Sequence, residues 1–356
     1  MITGKEDLYL KPFYKGNVSF YETALILGEE GEAHFLFPIE ELIGVYNFGQ
    51  NIEYVEGKDY ILTKNGGIKR LPNSAMPYIE FDKYYIEKAD PKAEIPVDND
   101  KVPESIKNKY FAFSEGSYFM NHQICVSYKH KEIWNGNKPV YQGEKISKFI
   151  KKLVNKEKPT FLFYGDSITV GCNTSGTEWG DFIEPKMDSF PLLVTHELER
   201  IYKTSINYVN TAVGGMTSKW GVDNVEENVC KYKPDLVLIG FGMNDGWLDP
   251  EEFKGRLLSM ISSTMKVNPN AEFILLSTTV PNPNSTWFKS GVHNFINIMK
   301  EIDMPNVCLV DMTTTHLDLL KFKEFKDMTG NNVNHPNDFL ARIYAQMILG
   351  TLIKDR

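Results

Sequence analysis

Residues 161–171 read FLFYGDSITVG. Phe161 to Tyr164 form an apolar run of the kind that is buried on both faces of a parallel sheet, and Gly165 ends it. Asp166 and Ser167 fall in the turn that follows, so a hydroxyl stands at the carboxyl end of a buried strand. The same texture recurs downstream: "SINYVNTAV", "DLVLIGFG", "EFILLSTTV" and "NVCLVDMT" are near-continuous apolar runs. Between them lie stretches with helical spacing at 191–203, 222–230, 251–266, 288–302 and 338–354. Alternation of this kind predicts an α/β fold, a doubly wound parallel sheet over 159–356.

Upstream the texture changes. Residues 1–143 carry short alternating runs such as "EAHFLFPI", "IEYVEGKDYILT", "YIEFDKYYIE" and "HQICVSYKHKEIW", separated by turn signals. "DYILTKNGGIKRL" reads as a hairpin closed by Asn65-Gly66-Gly67. This region is predicted to be an all-β domain, a sandwich or jelly-roll-like arrangement, with a barrel as the other closure. Residues 144–158 switch to helical spacing, with Ile146, Phe149, Ile150 and Leu153 on one face and lysines opposite, and read as a linker helix packed between the domains.

The totals narrow the function classes. The chain has 356 residues, 42% hydrophobic and 24% charged, with a net charge of −8. Nothing basic clusters, which argues against a nucleic-acid partner, whose phosphates call for grouped Lys and Arg. No apolar run approaches a membrane span. The opening stretch has no apolar signal region, so the sequence reads as cytoplasmic, although a secreted chain freed of its signal would read the same way. Cys125, Cys172, Cys230 and Cys308 are far apart and form no CxxC pair, so neither a metal site nor a disulfide framework is expected.

In open parallel sheets ligands gather outside the carboxyl ends of the strands. Gly165-Asp166-Ser167, then Gly214 and Gly215 in "NTAVGGMTS", then Asn244 and Asp245 in "GFGMNDG", and finally His335 in "NNVNHPND" should therefore share one rim. A serine needs a base to become a nucleophile, and histidine is the usual one. The oxyanion needs donors, which glycine backbone N–H groups and a neutral asparagine amide supply. Together they are the parts of an acyl-transfer site. "GFGMNDG" has the wrong spacing for a dinucleotide loop. GxxxxGK[ST], HExxH and GxSxG are all missing.

These four blocks, "GDSIT", N-x-x-x-x-G from Asn210, G-x-N-D and a late H-P, resemble the SGNH (GDSL-type) hydrolases over about 159–356. The resemblance implies that Ser167 is the nucleophile and His335 the general base. It further implies that the backbone N–H groups of Ser167 and Gly215, with the Asn244 side chain, form the oxyanion hole. A β domain ahead of such a unit is similar in layout to two-domain bacterial carbohydrate esterases, acetyl-xylan esterases among them. No cofactor and no metal is implied.

One position departs from the pattern. The family places an acid three residues before its histidine, and here that position is Asn332. The expectation is therefore a Ser–His dyad, with Asn332 as an orienting helper or its backbone carbonyl taking the imidazole N–H. Asp338 is the alternative acid, although Asn337 or Asp338 is expected to cap the last helix. Trp220, Trp247 and Trp287, with Trp179, follow predicted strands and could stack on sugar rings. The reading is a serine esterase acting on small acyl, chiefly acetyl, groups of a carbohydrate or oligosaccharide. Its rivals are a lipid or thioester acyl hydrolase of the same fold and a catalytically dead carbohydrate-binding protein.

Overall fold

The computed structural model describes residues 4–91 and 94–356. Five parallel strands form its centre: β1 Thr160–Gly165, β2 Asn207–Asn210, β3 Leu236–Gly240, β4 Glu272–Leu276 and β5 Val307–Val310, in the spatial order β2-β1-β3-β4-β5. β1, β3 and β4 hold almost no exposed residue, because helices cover both faces. The strand order switches at β1, with β2 on one side and β3 on the other, so the crevice outside its carboxyl end is where this topology places a ligand.

Phe190–Tyr202 and Pro250–Val267 are helices close to their predicted bounds. The expected helix at 222–230 is instead two short ones, Ser218–Asp223 and Val225–Asn228. The stretch at 288–302 is interrupted as well: Gly291 sits at φ 80°, between two 3₁₀ turns, and the α-helix spans only Phe295–Met299. The linker helix is Ser147–Val154, shorter than 144–158. The Glu272 carboxylate, at the start of β4, accepts the N–H groups of Lys148 and Phe149 at 2.9 and 2.8 Å. A helix at Met312–Leu319, capped by Asp311, was not signalled by periodicity.

The strands of the N-terminal region form three antiparallel sheets. The largest orders Val18–Leu25, Gln123–Lys129, Glu41–Asn47 and Glu53–Tyr54 side by side. The hairpin at 60–70 pairs Tyr60 with Arg70 and Leu62 with Ile68. "YIEFDKYYIE" contains no long strand: Phe81–Tyr84 makes one helical turn before a two-residue strand, because Tyr84 is drawn inward to bury its ring and bond Asn332. The third sheet, Tyr85–Ile86, Tyr110–Phe111 and Ile95–Pro96, abuts the parallel-sheet rim, and Val97 bridges to Ser285 in the loop after β4.

One hydrophobic core runs through both regions. Tyr9, Ile26, Tyr128 and Trp134 belong to the same buried cluster as Phe161, Phe190 and Tyr344. Every residue of the last helix, Asp338–Leu352, is buried, since it lies between the sheet layer and the N-terminal segment. Charged contacts cross the same boundary. Lys323 Nζ meets Glu22 Oε1 at 2.7 Å with both side chains fully buried, and Arg342 donates to the carbonyls of Phe20 and Tyr21. Removing one partner of such a buried pair costs several kcal/mol, roughly 3 to 5. The N-terminal region is thus fixed against the sheet rather than tethered to it.

Candidate active site

The site grows from the turn after β1. Gly165 is required there by close packing, since a Cβ on it would lie 2.3 Å from both the Gly240 carbonyl oxygen and Thr169 Oγ1. Asp166 caps the short helix Ser167–Val170, its Oδ1 accepting Ile168 N–H at 3.0 Å. Ser167, first in that helix, has no intrahelical acceptor for its own N–H. Asn210 ties the second block to this turn by donating from Nδ2 to the Thr169 carbonyl at 3.0 Å.

His335 arrives on the loop before the last helix. Asn331 Oδ1 accepts the N–H groups of Val333, Asn334 and His335, each at 3.0 Å, and so winds the loop around one amide oxygen. The ring reaches Ser167, with Nε2 to Oγ at 2.9 Å. That is hydrogen-bonding reach for a base and a nucleophile. Asn337 caps the helix by accepting Leu340 N–H, while Asp338 turns away and bonds Ser175 through both oxygens.

The other face of the imidazole departs from expectation. Asn332 does not orient it: the Asn332 amide is engaged by Tyr84 Oη, which donates to Oδ1 at 2.8 Å, and by the Ala112 carbonyl at 2.9 Å. Its backbone carbonyl accepts from Asn282. Asn332 has φ 69°, which swings its side chain into the N-terminal region and away from the ring. Two residues outside the four blocks meet Nδ1 instead: Asn173 Oδ1 at 2.6 Å and Glu115 Oε2 at 3.2 Å. Asn173 lies six residues after the nucleophile, and Glu115 comes from the N-terminal region. Neither carries a local signal, and only the tertiary fold brings them here. Burial alone would push the Glu115 carboxyl up; hydrogen bonding and charge from His335, with the amides of Asn331 and Asn173, outweigh it and hold the group below the usual glutamate range.

The hydroxyl opens into a cleft of about 450 Å³ lined by Ser167, Gly215, Asn244, Trp179, Trp287 and His335, with Ile95, Phe113 and Glu115 from the N-terminal side. Gly215 has φ 76°, and a Cβ there would meet nothing, so the backbone at this point faces open space. Asn244 Nδ2 donates to the Met216 carbonyl at 3.1 Å, which fixes the amide plane and leaves its second hydrogen for the cleft. Asp245 is no acid of the site: it accepts Ser218 N–H and Oγ–H and pairs with Arg256.

A family model described as the GDSL-like Lipase/Acylhydrolase family matches residues 163–342, half of the chain. The chain belongs to the GDSL-like lipase/acylhydrolase family. Solved structures resemble this acylhydrolase at the level of fold. One is a mutant of Axe2, an acetyl-xylooligosaccharide esterase of Geobacillus stearothermophilus, at 22% identity and TM-score 0.46, covering 56% of this chain and 100% of that one. Another is a two-domain esterase, CEX, active on acetylated mannans and co-crystallised with mannopentaose, at 20% identity and TM-score 0.46, covering 60% of this chain and 53% of that one. No curated protein matches the sequence.

The tryptophans of the acylhydrolase divide. Trp287 lines the cleft, and so does Trp179, each about half exposed. Trp220 does not: its ring packs on Tyr164, 5.8 Å between centroids, against the core behind the sheet. Trp247 is 77% exposed and outside the cleft lining. Position after a strand does not decide which way each indole turns.

Asp166 carries a pH signature. It is fully buried, its Oδ2 has no hydrogen-bond partner among the described residues, and burial, reinforced by Asp245, pushes its carboxyl up to about 7. A carboxyl whose folded value exceeds its unfolded 3.8 holds its proton longer in the native state. Stability is therefore greatest below about pH 4 for this group and falls as pH rises toward 7, by on the order of 3 to 4 kcal/mol. Asp166→Asn keeps a capping oxygen and removes the titration. Thermal denaturation across pH 4 to 8 should show a shallower decline in Tm for the variant; identical slopes would contradict this account.

Proposed function

We propose that the chain hydrolyses small acyl esters, acetyl foremost, carried on carbohydrate. The observation that carries the reading is the 2.9 Å contact between Ser167 Oγ and His335 Nε2 at the floor of an open cleft. Ser167 Oγ attacks the ester carbonyl as His335 Nε2 takes its proton. The negative charge that develops on the carbonyl oxygen meets the N–H groups of Ser167 and Gly215 and the Asn244 amide. His335 then returns the proton to the leaving alkoxide as the C–O bond breaks. Water, deprotonated by the same imidazole, releases the acid from the acyl-enzyme and restores the hydroxyl.

Trp179 and Trp287 support a sugar as the alcohol part, since a half-exposed indole offers a flat apolar face to a pyranose ring. Ile95, Phe113 and Val213 line the same cleft and would also suit a longer acyl chain, which favours a lipid or thioester substrate as the second reading. Chain length decides between them. Initial rates on acetylated monosaccharides and xylo- or manno-oligosaccharides, against butyryl, octanoyl and palmitoyl esters, should be highest for acetyl sugars. A kcat/KM that climbs with acyl length past four carbons would replace the sugar reading by the lipid one.

A further inference from the structure

We propose that Glu115, a residue of the N-terminal β region, is the acid of the catalytic relay, standing in for the carboxylate that position 332 does not supply. The proposal deepens, and rests on, the reading of Ser167 as nucleophile and His335 as base. A base that accepts a proton on Nε2 needs two things on its far side: an acceptor that holds Nδ1–H in place, and a negative charge that stabilises the imidazolium. The site divides these tasks between two side chains. Asn173 is the nearer acceptor at 2.6 Å, and its own Nδ2 is anchored to the Gly116 carbonyl at 2.9 Å, so its oxygen is aimed at the ring. An amide fixes the tautomer but brings no charge. Glu115 Oε2, at 3.2 Å, brings it.

Glu115 is held for this task from the hydrolase side. Asn331 Nδ2 donates to its Oε1 at 3.2 Å, and the same Asn331 winds the His335 loop, so ring and carboxylate are positioned by one side chain. The residues after Glu115 are latched as well: Gly116 by Asn173, and Ser117 N–H by Asp181 Oδ2 at 2.7 Å. Asn332 now has a different task. It clasps Tyr84 and Ala112 of the N-terminal region and so docks the segment that carries the acid. The family's usual acid position thus anchors the domain from which the replacement comes. Glu115 does not touch the reacting atoms and is a positioning residue. When Ser167 Oγ–H passes its proton to Nε2, the ring gains one positive charge beside one carboxylate, and the charge disappears when the proton leaves with the alkoxide.

The test is the pH–rate profile of the full-length chain. The other titratable groups near the ring are Glu94 across the cleft, Cys172, whose thiol burial pushes up to about 12, and Asp166 beneath the nucleophile; Asp338 faces Ser175. All of these residues are retained in a Glu115 variant, and the Cys172 thiol, which burial raises first and Glu115 second, stays protonated across the acid limb, so a difference profile isolates the one carboxylate. Glu115→Gln keeps the volume and an acceptor oxygen. It should lower kcat about 10- to 100-fold, less than the roughly 10⁴-fold of an acid-to-amide change that also loses the tautomer, because Asn173 still holds the proton in place. KM should stay within about twofold.

The acid limb of kcat/KM should move to lower pH once the negative charge 3.2 Å from Nδ1 is gone. Glu115→Asp should keep the limb in place while losing part of kcat, and this comparison stands even if the Gln variant proves unstable. Asn332→Asp added to Glu115→Gln should recover nothing. Wild-type kcat and an unmoved limb in Glu115→Gln, or recovery by Asn332→Asp, would overturn the proposal. Ser167→Ala separates the two readings: turnover without the hydroxyl removes the nucleophile assignment itself, whereas an inert Ser167→Ala beside an intact Glu115→Gln removes only the acid.

Discussion

Ser167→Ala is expected to lose turnover by on the order of 10⁴- to 10⁶-fold in kcat, with His335→Ala close behind and the double variant no worse than either. The expectation follows from the 2.9 Å bond between the two side chains. A hydroxyl without its base is a weak nucleophile, and a base without its hydroxyl has nothing to activate, so the pair is lost as a unit. Both substitutions remove buried side chains, and circular dichroism with a thermal melt separates inactivity from unfolding. A fluorophosphonate probe reads the hydroxyl directly: wild type should be labelled once per chain and Ser167→Ala not at all. Undiminished labelling of the alanine variant would place the nucleophile elsewhere and would equally remove the carbohydrate-binding rival's reason to exist, since a dead site labels in neither.

Asn244→Ala should lower kcat by about 10² to 10³ while leaving KM nearly unchanged. The reason is that an oxyanion donor acts on charge that exists only in the transition state, whereas the ground-state carbonyl gains little from it. Asn244 is suited to this because Met216 already fixes its amide plane at 3.1 Å, so no ordering is needed at the moment of reaction. The same substitution also removes the Met216 bond, which is why the distribution between kcat and KM is the decisive reading. A loss confined to KM would make Asn244 a substrate-binding residue and leave the oxyanion to the two backbone donors.

The contrast between Asn332 and Glu115 shows where local reading stops. Four blocks spread over more than 160 residues could be assigned to one rim because the first three each follow an apolar strand, whose ends a parallel sheet places on one side, and the fourth comes after the last strand and just before the last helix. The acid could not be found that way. Glu115 lies four residues past a two-residue antiparallel strand, Tyr110–Phe111, outside every motif, and the residues that meet it at the site, Asn173 beside it on the ring and Asn331 on its carboxylate, are ordinary loop amides in the sequence. The same limit separates the tryptophans: Trp220 and Trp287 both follow predicted strands, yet one packs on Tyr164 and the other faces the cleft.

Burial periodicity and turn chemistry, which depend on near neighbours along the chain, were enough to specify a doubly wound sheet behind a β region and to bring Ser167, Gly215, Asn244 and His335 toward a common edge. Which group faces Nδ1, which indole faces the cleft, and that the two regions share one core were decided by packing between segments some 200 residues apart. Such contacts leave no periodic trace in either segment, because each partner is selected by the shape and charge of the other rather than by its own surroundings.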